Sequence, residues 1–323
     1  MTGAPLPPPP PPAMGTVAAP DAPIVLDRAS RWFGNVVACN EITFAIAPGI
    51  TGLLGPNGAG KSTILGMIAG LLPPSSGRVL LFGEPAWRHP AVYRRIGLVP
   101  ERESVPGWLT GRAFVRYSAR LQGLADPDAA AADAIESVDL VAAADRQTAT
   151  YSKGMRQRIL LAAALVHEPP VLLLDEPFNG LDPRQRLHMI ALLQALSTAG
   201  RTILFSSHIL EEVERLADRV LVVNAGRLAA SGDFRAIRRL MTNHPHRYTI
   251  RSTDDRRLAA ALIAGDAVLG VELADGRLEV RTADLAGFGR RLPRLARDAG
   301  VSLLEVRPTD ESLESVFAYL VQR

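Results

Sequence analysis

The sequence predicts an α/β core followed by a small α+β domain, and three observations carry that prediction. The short apolar run Ile50 to Leu54 feeds directly into a glycine-rich turn, GPNGAGKST, which implies strand, loop and helix in that order. Val171 to Leu174 is fully apolar and ends in Asp175 and Glu176, the pattern of a buried parallel strand with its polar groups at the carboxyl end. From about His246 the texture changes to short strands separated by two amphipathic helices.

The bulk numbers allow this organisation. A chain of 323 residues, 47% apolar and 21% charged, can bury two hydrophobic cores and has an ordinary globular composition. The formal charge of +3 is not gathered into a basic run; the cluster Arg290, Arg291, Arg294 and Arg297 reads as a solvated face, so no nucleic-acid partner is expected. The single cysteine, Cys39, cannot form an intrachain disulfide, which fits a reducing, cytoplasmic compartment. The longest apolar stretch, Ile159 to Val166, is far short of the roughly 18 to 20 residues that cross a bilayer, so any membrane-spanning part belongs to another chain. Residues 1–21 form a proline-rich tail without the charged and apolar regions of a secretory signal, and read as an extended, disordered leader.

Taken in order, residues 22–235 form the core domain. Ile24 to Leu26 and Ile42 to Ile46 are strands, and Ser62 to Leu72 is a helix stopped by Pro73 and Pro74. Arg78 to Phe82 and Ile96 to Val99 are strands, while about 101–155, alanine-rich and amphipathic, is an inserted helical subdomain. Val171 to Leu174, Thr202 to Phe205 and Val220 to Val223 complete a parallel sheet. Residues 240–323 form the second domain. Strand Arg247 to Arg251, helix Leu258 to Ile263, a hairpin of Val268 to Leu273 with Arg277 to Arg281 turning at Asp275-Gly276, helix Leu285 to Ala299 and strand Leu303 to Val306 give a βαββαβ order, similar to a ferredoxin-like domain. A last helix sets Leu313, Val316, Phe317 and Leu320 on one face, to pack on its own domain or on a second subunit.

The chemistry concentrates in two segments. Gly55, Pro56, Asn57, Gly58, Ala59, Gly60, Lys61, Ser62 and Thr63 fit the pattern G-x-x-x-x-G-K-[ST] between a strand and a helix. Glycines free the backbone N–H groups to surround phosphate oxygens, and the helix directs its positive end at them. Lys61 would neutralise β and γ phosphate charge and Ser62 would hold Mg2+. Asp175 is placed to hold the same ion, and Glu176 to reach the water that attacks the γ phosphate. Adjacent acids with a metal role and a base role favour ATP hydrolysis over simple binding. No Asn-Lys-x-Asp guanine-reading element is present, which weighs against GTP. Of 36 basic residues only Lys61 and Lys153 are lysine, and both fall in motifs, where a compact ammonium does what a planar guanidinium cannot.

With these elements in place, residues 24 to 232 resemble the ABC ATPase family. YSKGMRQR, from Tyr151, is similar to the family's signature: Ser152 and Gly154 match, and Lys153 and Met155 replace the commoner glycine and glutamine. Its Ser152 lies 23 residues before Asp175, the family's usual separation. Asn179, Gly180, Leu181 and Asp182 match the D-loop, and His208 matches the switch histidine that contacts the γ phosphate. Phe33 occupies the place of the adenine-stacking aromatic, with Trp32 beside it as the other aromatic that could be core instead. One departure is Glu101, where the family has a glutamine; a carboxylate there could still touch Mg2+ or its waters.

The resemblance implies a P-loop ABC-type ATPase core with an inserted helical subdomain, using ATP and Mg2+. Each ATP would lie between the P-loop of one cassette and the signature of another, so a second cassette, most simply a second copy, is implied. A separate transmembrane permease would hold the pair on the cytoplasmic face of a bacterial membrane. The C-terminal domain and its closing SLESVFAYL, with YSKGM, resemble the exporters of the ABC-2 type, which implies export. The alternatives are a soluble ABC ATPase acting on nucleic acid or ribosomes, which would call for coiled-coil heptads or a tandem cassette, and a silent regulatory module, which would lack Glu176 or His208.

Overall fold

The computed structural model describes residues 22–102, 105–233, 246–264, 268–274 and 277–308. The proline-rich leader, the Asp275-Gly276 turn and the closing helix with Leu313, Val316, Phe317 and Leu320 lie outside the described residues. The core domain runs β1 (Ile24–Phe33), β2 (Val36–Ile46), β3 (Gly49–Leu54), α1 (Lys61–Ile68), β4 (Ser76–Leu81), β5 (Glu84–Pro85), α2 (Pro90–Tyr93) and β6 (Ile96–Val99). It continues with α3 (Gly111–Leu121), α4 (Pro127–Ser137), α5 (Lys153–Leu165), β7 (Val171–Leu174), α6 (Pro183–Thr198), β8 (Thr202–Ser207), α7 (Leu210–Leu216), β9 (Arg219–Asn224) and β10 (Arg227–Gly232). The C-terminal elements are β11 (His246–Ser252), α8 (Asp255–Ala264), β12 (Gly270–Ala274), β13 (Arg277–Thr282), α9 (Leu285–Asp298) and β14 (Leu303–Pro308).

Six strands build the central sheet in the order β10-β9-β3-β8-β7-β6. All neighbours are parallel except β10, which turns back antiparallel on β9 at one edge. The sheet is buried on both faces, and strand alternation divides its side chains between two cores. Leu173, Leu204 and Leu221 face one core with α1 and the antiparallel sheet β2-β1-β4-β5. Leu174, Ile203, Phe205 and Val222 face the other, with residues of α3 to α7. Both cores therefore hold the carboxyl ends of β3, β7 and β8 side by side, where an open parallel sheet presents its polar groups.

Two expectations are adjusted. The predicted helix from Ser62 to Leu72 stops at Ile68. Gly70, at φ +68°, closes it, and the N–H groups of Leu71 and Leu72 both bond back to Gly66 O, which a continuing helix would not allow. The first two strands are longer than their apolar runs, because a bulged hairpin from Ile24 to Ile46 pairs residues the alternation does not mark.

The C-terminal elements form a four-stranded antiparallel sheet in the order β12-β13-β11-β14. Its own core holds Ile250, Leu258, Leu262, Leu278, Val280, Phe288 and Leu292, with the rings of Tyr248 and Phe288 4.9 Å apart.

Candidate functional site

The site begins at the carboxyl end of β3. Gly55 leaves the strand where a Cβ would sit 2.4 Å from Val223 O, and Gly60, at φ +105°, where one would sit 2.5 Å from Ala38 O. Only glycine fits either position, so the loop is pressed between β9 and the β1–β2 hairpin. Gly60 is also the N-cap of α1 and supplies no side-chain cap. The amides of Lys61, Ser62 and Thr63 precede the first intrahelical bond, from Ile64 N–H to Gly60 O, and so remain open to an anion. Ser62 is exposed at this end.

Lys61 is 7% exposed, and its ammonium donates to Gly55 O at 2.8 Å and to Pro56 O at 3.4 Å. It also stands 3.5 Å from Oε1 of Glu176, whose side chain is equally buried. The other oxygen of Glu176 lies 2.9 Å from Nδ1 of His208, whose ring reaches solvent. One carboxylate thus joins the loop lysine to the histidine after β8. Truncating one partner of a buried pair leaves the other charge uncompensated, at a cost of about 3–5 kcal/mol.

Adjacent residues of a strand point to opposite faces, and Asp175 and Glu176 would diverge if β7 continued. Glu176 instead adopts φ +50°, a conformation costing on the order of 1 kcal/mol for a residue with a Cβ. Ser206 holds the two together: its hydroxyl donates to Asp175 Oδ1 at 2.6 Å and accepts the Glu176 N–H at 2.9 Å. Asp175 Oδ2 has no protein partner among the described residues. A carboxylate oxygen and a serine hydroxyl are both hard oxygen donors, the chemistry that suits Mg2+.

The remaining sequence-derived residues fall around this centre. The Asp175 N–H bonds Val99 O at 2.8 Å, so Pro100 and Glu101 leave β6 alongside the two acids, although Glu101 is exposed and makes no polar contact with Ser62 or Asp175. Phe33 sits at the end of the hairpin, 44% exposed, with the Arg31 guanidinium 4.6 Å above its ring; Trp32 is exposed to the same degree. Ser152 caps α5 through Met155 N–H at 3.2 Å. A Cβ on Gly154 would meet Gln185 Oε1 at 2.3 Å, and one on Gly180 would meet the Lys153 stem at 2.2 Å, so the Ser152–Met155 turn packs on the Asn179–Asp182 segment. Leu181 is buried, and Asp182 caps α6 in a reciprocal box with Gln185. No polar contact joins this turn to residues 55–63 among the described residues.

Four residues escaped the sequence reading: Ser206, Ser207, Glu212 and Arg186. Ser207 donates to Glu212 Oε2 at 2.6 Å, and Arg186 Nη1 lies 3.4 Å from Glu212 Oε1. Burial raises the Glu212 carboxyl above its ordinary range, against the pull of the Ser207 bond and the Arg186 charge. The available signal was the polar Ser-Ser-His at the end of an otherwise apolar parallel strand.

Residues 39–179 match the family described as ABC transporter. The chain is 33% identical over 306 residues to the daunorubicin resistance ATP-binding protein DrrA3 of Streptomyces coeruleorubidus, covering 93% of this chain and 96% of that protein. It is 39% identical over 223 residues to the Nod factor export ATP-binding protein I of Paraburkholderia xenovorans, covering 66% of this chain and 71% of that one. Among solved structures, an ATP-binding subunit of an ABC transporter superposes with a TM-score of 0.62 at 29% identity, covering 67% of this chain and 92% of that chain.

Proposed function

The chain belongs to the ABC transporter family as an ATP-binding subunit, and from that premise we propose that it is the ATP-hydrolysing motor of an exporter whose membrane-spanning part is a separate permease. The names of the two relatives, one for export and one for drug resistance, support export. The single observation that carries the hydrolytic reading is the buried Glu176, held between Lys61 at 3.5 Å and His208 at 2.9 Å directly beyond the phosphate loop.

In this reading the loop amides from Gly55 to Thr63 bind the phosphates, and Phe33 stacks on the adenine. Lys61 exchanges its carbonyl contacts for β and γ phosphate oxygens. Ser62 and Asp175 would hold Mg2+, with Glu101 able to touch the ion or its waters, and the ion would there neutralise phosphate charge. Glu176 accepts the proton of the attacking water as its oxygen bonds to the γ phosphorus, and the bond to the bridging oxygen breaks with its electrons leaving on ADP. His208 orients Glu176 and donates to the γ phosphate.

Ser152, Lys153, Gly154 and Met155 serve the ATP of a second cassette, which we take to be a second copy, with Asn179 to Asp182 at the seam. Residues 22–235 are the cassette, about 101–155 its helical subdomain and 240–323 a ferredoxin-like accessory domain. The strand order β12-β13-β11-β14 supports that last reading, and the helical spacing of Leu313, Val316, Phe317 and Leu320 in the sequence is the ground for giving this domain a role in stabilising the dimer.

No helix of the described residues is long and apolar enough to cross a membrane, consistent with peripheral attachment through the permease, at the cytoplasmic face. Phosphate release with Mg-ATP tests the motor reading. Wild type turns over and Glu176→Gln loses about 100-fold or more; equal rates would remove Glu176 from the mechanism.

A further inference from the structure

Beyond Lys61, Glu176 and His208, the largest investment of buried polarity near the site is at Glu212, on the first turn of α7. It is 2% exposed, and its two oxygens reach different elements. Oε2 accepts the Ser207 hydroxyl at 2.6 Å, and the same Ser207 oxygen accepts the Ile209 N–H at 2.9 Å. Those two bonds span the His208 peptide from either side, so the turn that aims the histidine is fastened to Glu212. Oε1 lies 3.4 Å from Nη1 of Arg186, in the first turns of α6, the helix that Asp182 caps.

We propose that Glu212 and Arg186 are a positioning pair that ties the His208 turn to the Asn179–Asp182 segment, so that engagement of that segment is carried to the hydrolytic pair of the same chain. The inference rests on the functional reading above and adds to it a physical route between the seam of the cassette pair and the reacting centre. Ser207 and Arg186 are the two groups that touch the Glu212 carboxylate among the described residues, and Ser207 adjoins His208 in the chain.

A simpler role is available. An acid in the first turn of a helix meets the positive end of the helix dipole, and Glu211 beside it does the same. That role needs neither Ser207 nor Arg186, and it leaves a carboxylate exposed instead of sealed in a core. The two roles differ in what happens when Arg186 is changed: a helix-end acid is indifferent to it, and a positioning pair is not.

The test uses the full-length chain as wild type, Glu212→Gln, Arg186→Gln and the double variant. Turnover is measured at saturating Mg-ATP, and affinity toward a non-hydrolysable imido analogue of ATP. Glutamine at 212 keeps the shape and can still accept the Ser207 proton, so it removes the charge alone. Arg186 is partly exposed, so its variant remains informative even if a change at the buried 212 impairs folding. The pair predicts that each single variant loses turnover about tenfold, that the double variant loses no more than the worse single one, and that analogue affinity stays within about twofold. A loss below about fivefold in Arg186→Gln, multiplied losses in the double variant, or a fall in turnover that follows analogue affinity overturns the proposal. Failure of the functional reading itself is distinguishable, because wild type would then neither bind the analogue nor release phosphate.

Discussion

Nδ1 of His208 lies 2.9 Å from Oε2 of Glu176, and this contact joins the ends of two neighbouring parallel strands, β7 and β8. The histidine is carried by the turn that Ser207 fastens and the glutamate by a left-handed backbone at φ +50°, and their side chains meet between the two.

Replacing His208 with alanine therefore leaves Glu176 paired only with Lys61. Turnover is expected to fall by about 100-fold or more while affinity for a non-hydrolysable ATP analogue changes little. Phosphate release and analogue titration on the same preparation check this, and parallel losses in both would mean that His208 serves binding instead.

Ser206→Ala removes one hydroxyl that serves both acids. The Asp175 Oδ1 bond of 2.6 Å and the acceptor for the Glu176 N–H are lost together in a fully buried setting. A destabilisation of about 1–3 kcal/mol is expected, as for a buried polar group left unsatisfied. Urea unfolding measures it, and turnover falls as well because the left-handed turn at Glu176 loses its tether.

Cys39 lies under the phosphate loop, and burial pushes its thiol up to about 12. The thiolate is the reactive form, so the folded protein at pH 8 should resist iodoacetamide and the unfolded protein should take one adduct. Intact mass with and without guanidinium reads the difference; rapid modification of folded protein would contradict the packing of β2 on Gly60.

His167 supplies an acid-side prediction. Its Nε2 stands 3.1 Å from Ile96 O, which can only accept, so the proton sits on Nε2, and Nδ1 is buried without a hydrogen-bond partner among the described residues. Burial, chiefly, lowers its pKa below the ordinary 6.5. The unfolded chain then binds a proton more readily than the folded one, so this contribution is whole above 6.5 and is lost as the pH falls from there toward the lowered value. A His167→Gln variant should show a shallower loss of stability as the pH falls below 6.5 than wild type, read from urea midpoints across pH.

Much of this site was legible in the chain because its motifs need particular residues at fixed spacing. GPNGAGKST could be placed between a strand and a helix, and Val171 to Glu176 could be read as a buried strand ending in acids. The residues that hold those motifs were not legible. Ser206, Glu212 and Arg186 are common residue types, and their meaning comes from pairings 31 residues apart in one case and between two helices in the other. The positive φ of Glu176 leaves no trace in residue type, since such conformations are usually given to glycine or asparagine. The end of α1 was overrun for the opposite reason: Leu71 and Leu72 continue the apolar pattern while Gly70 ends the helix.

In the proposed cycle two copies of this cassette close on ATP and reopen through hydrolysis at Glu176. The mass in solution of full-length Glu176→Gln with and without Mg-ATP tests it. A monomer without nucleotide and a stable dimer holding two ATP with it is the expected result, whereas a variant that binds ATP and stays monomeric would contradict closure between two copies of this chain.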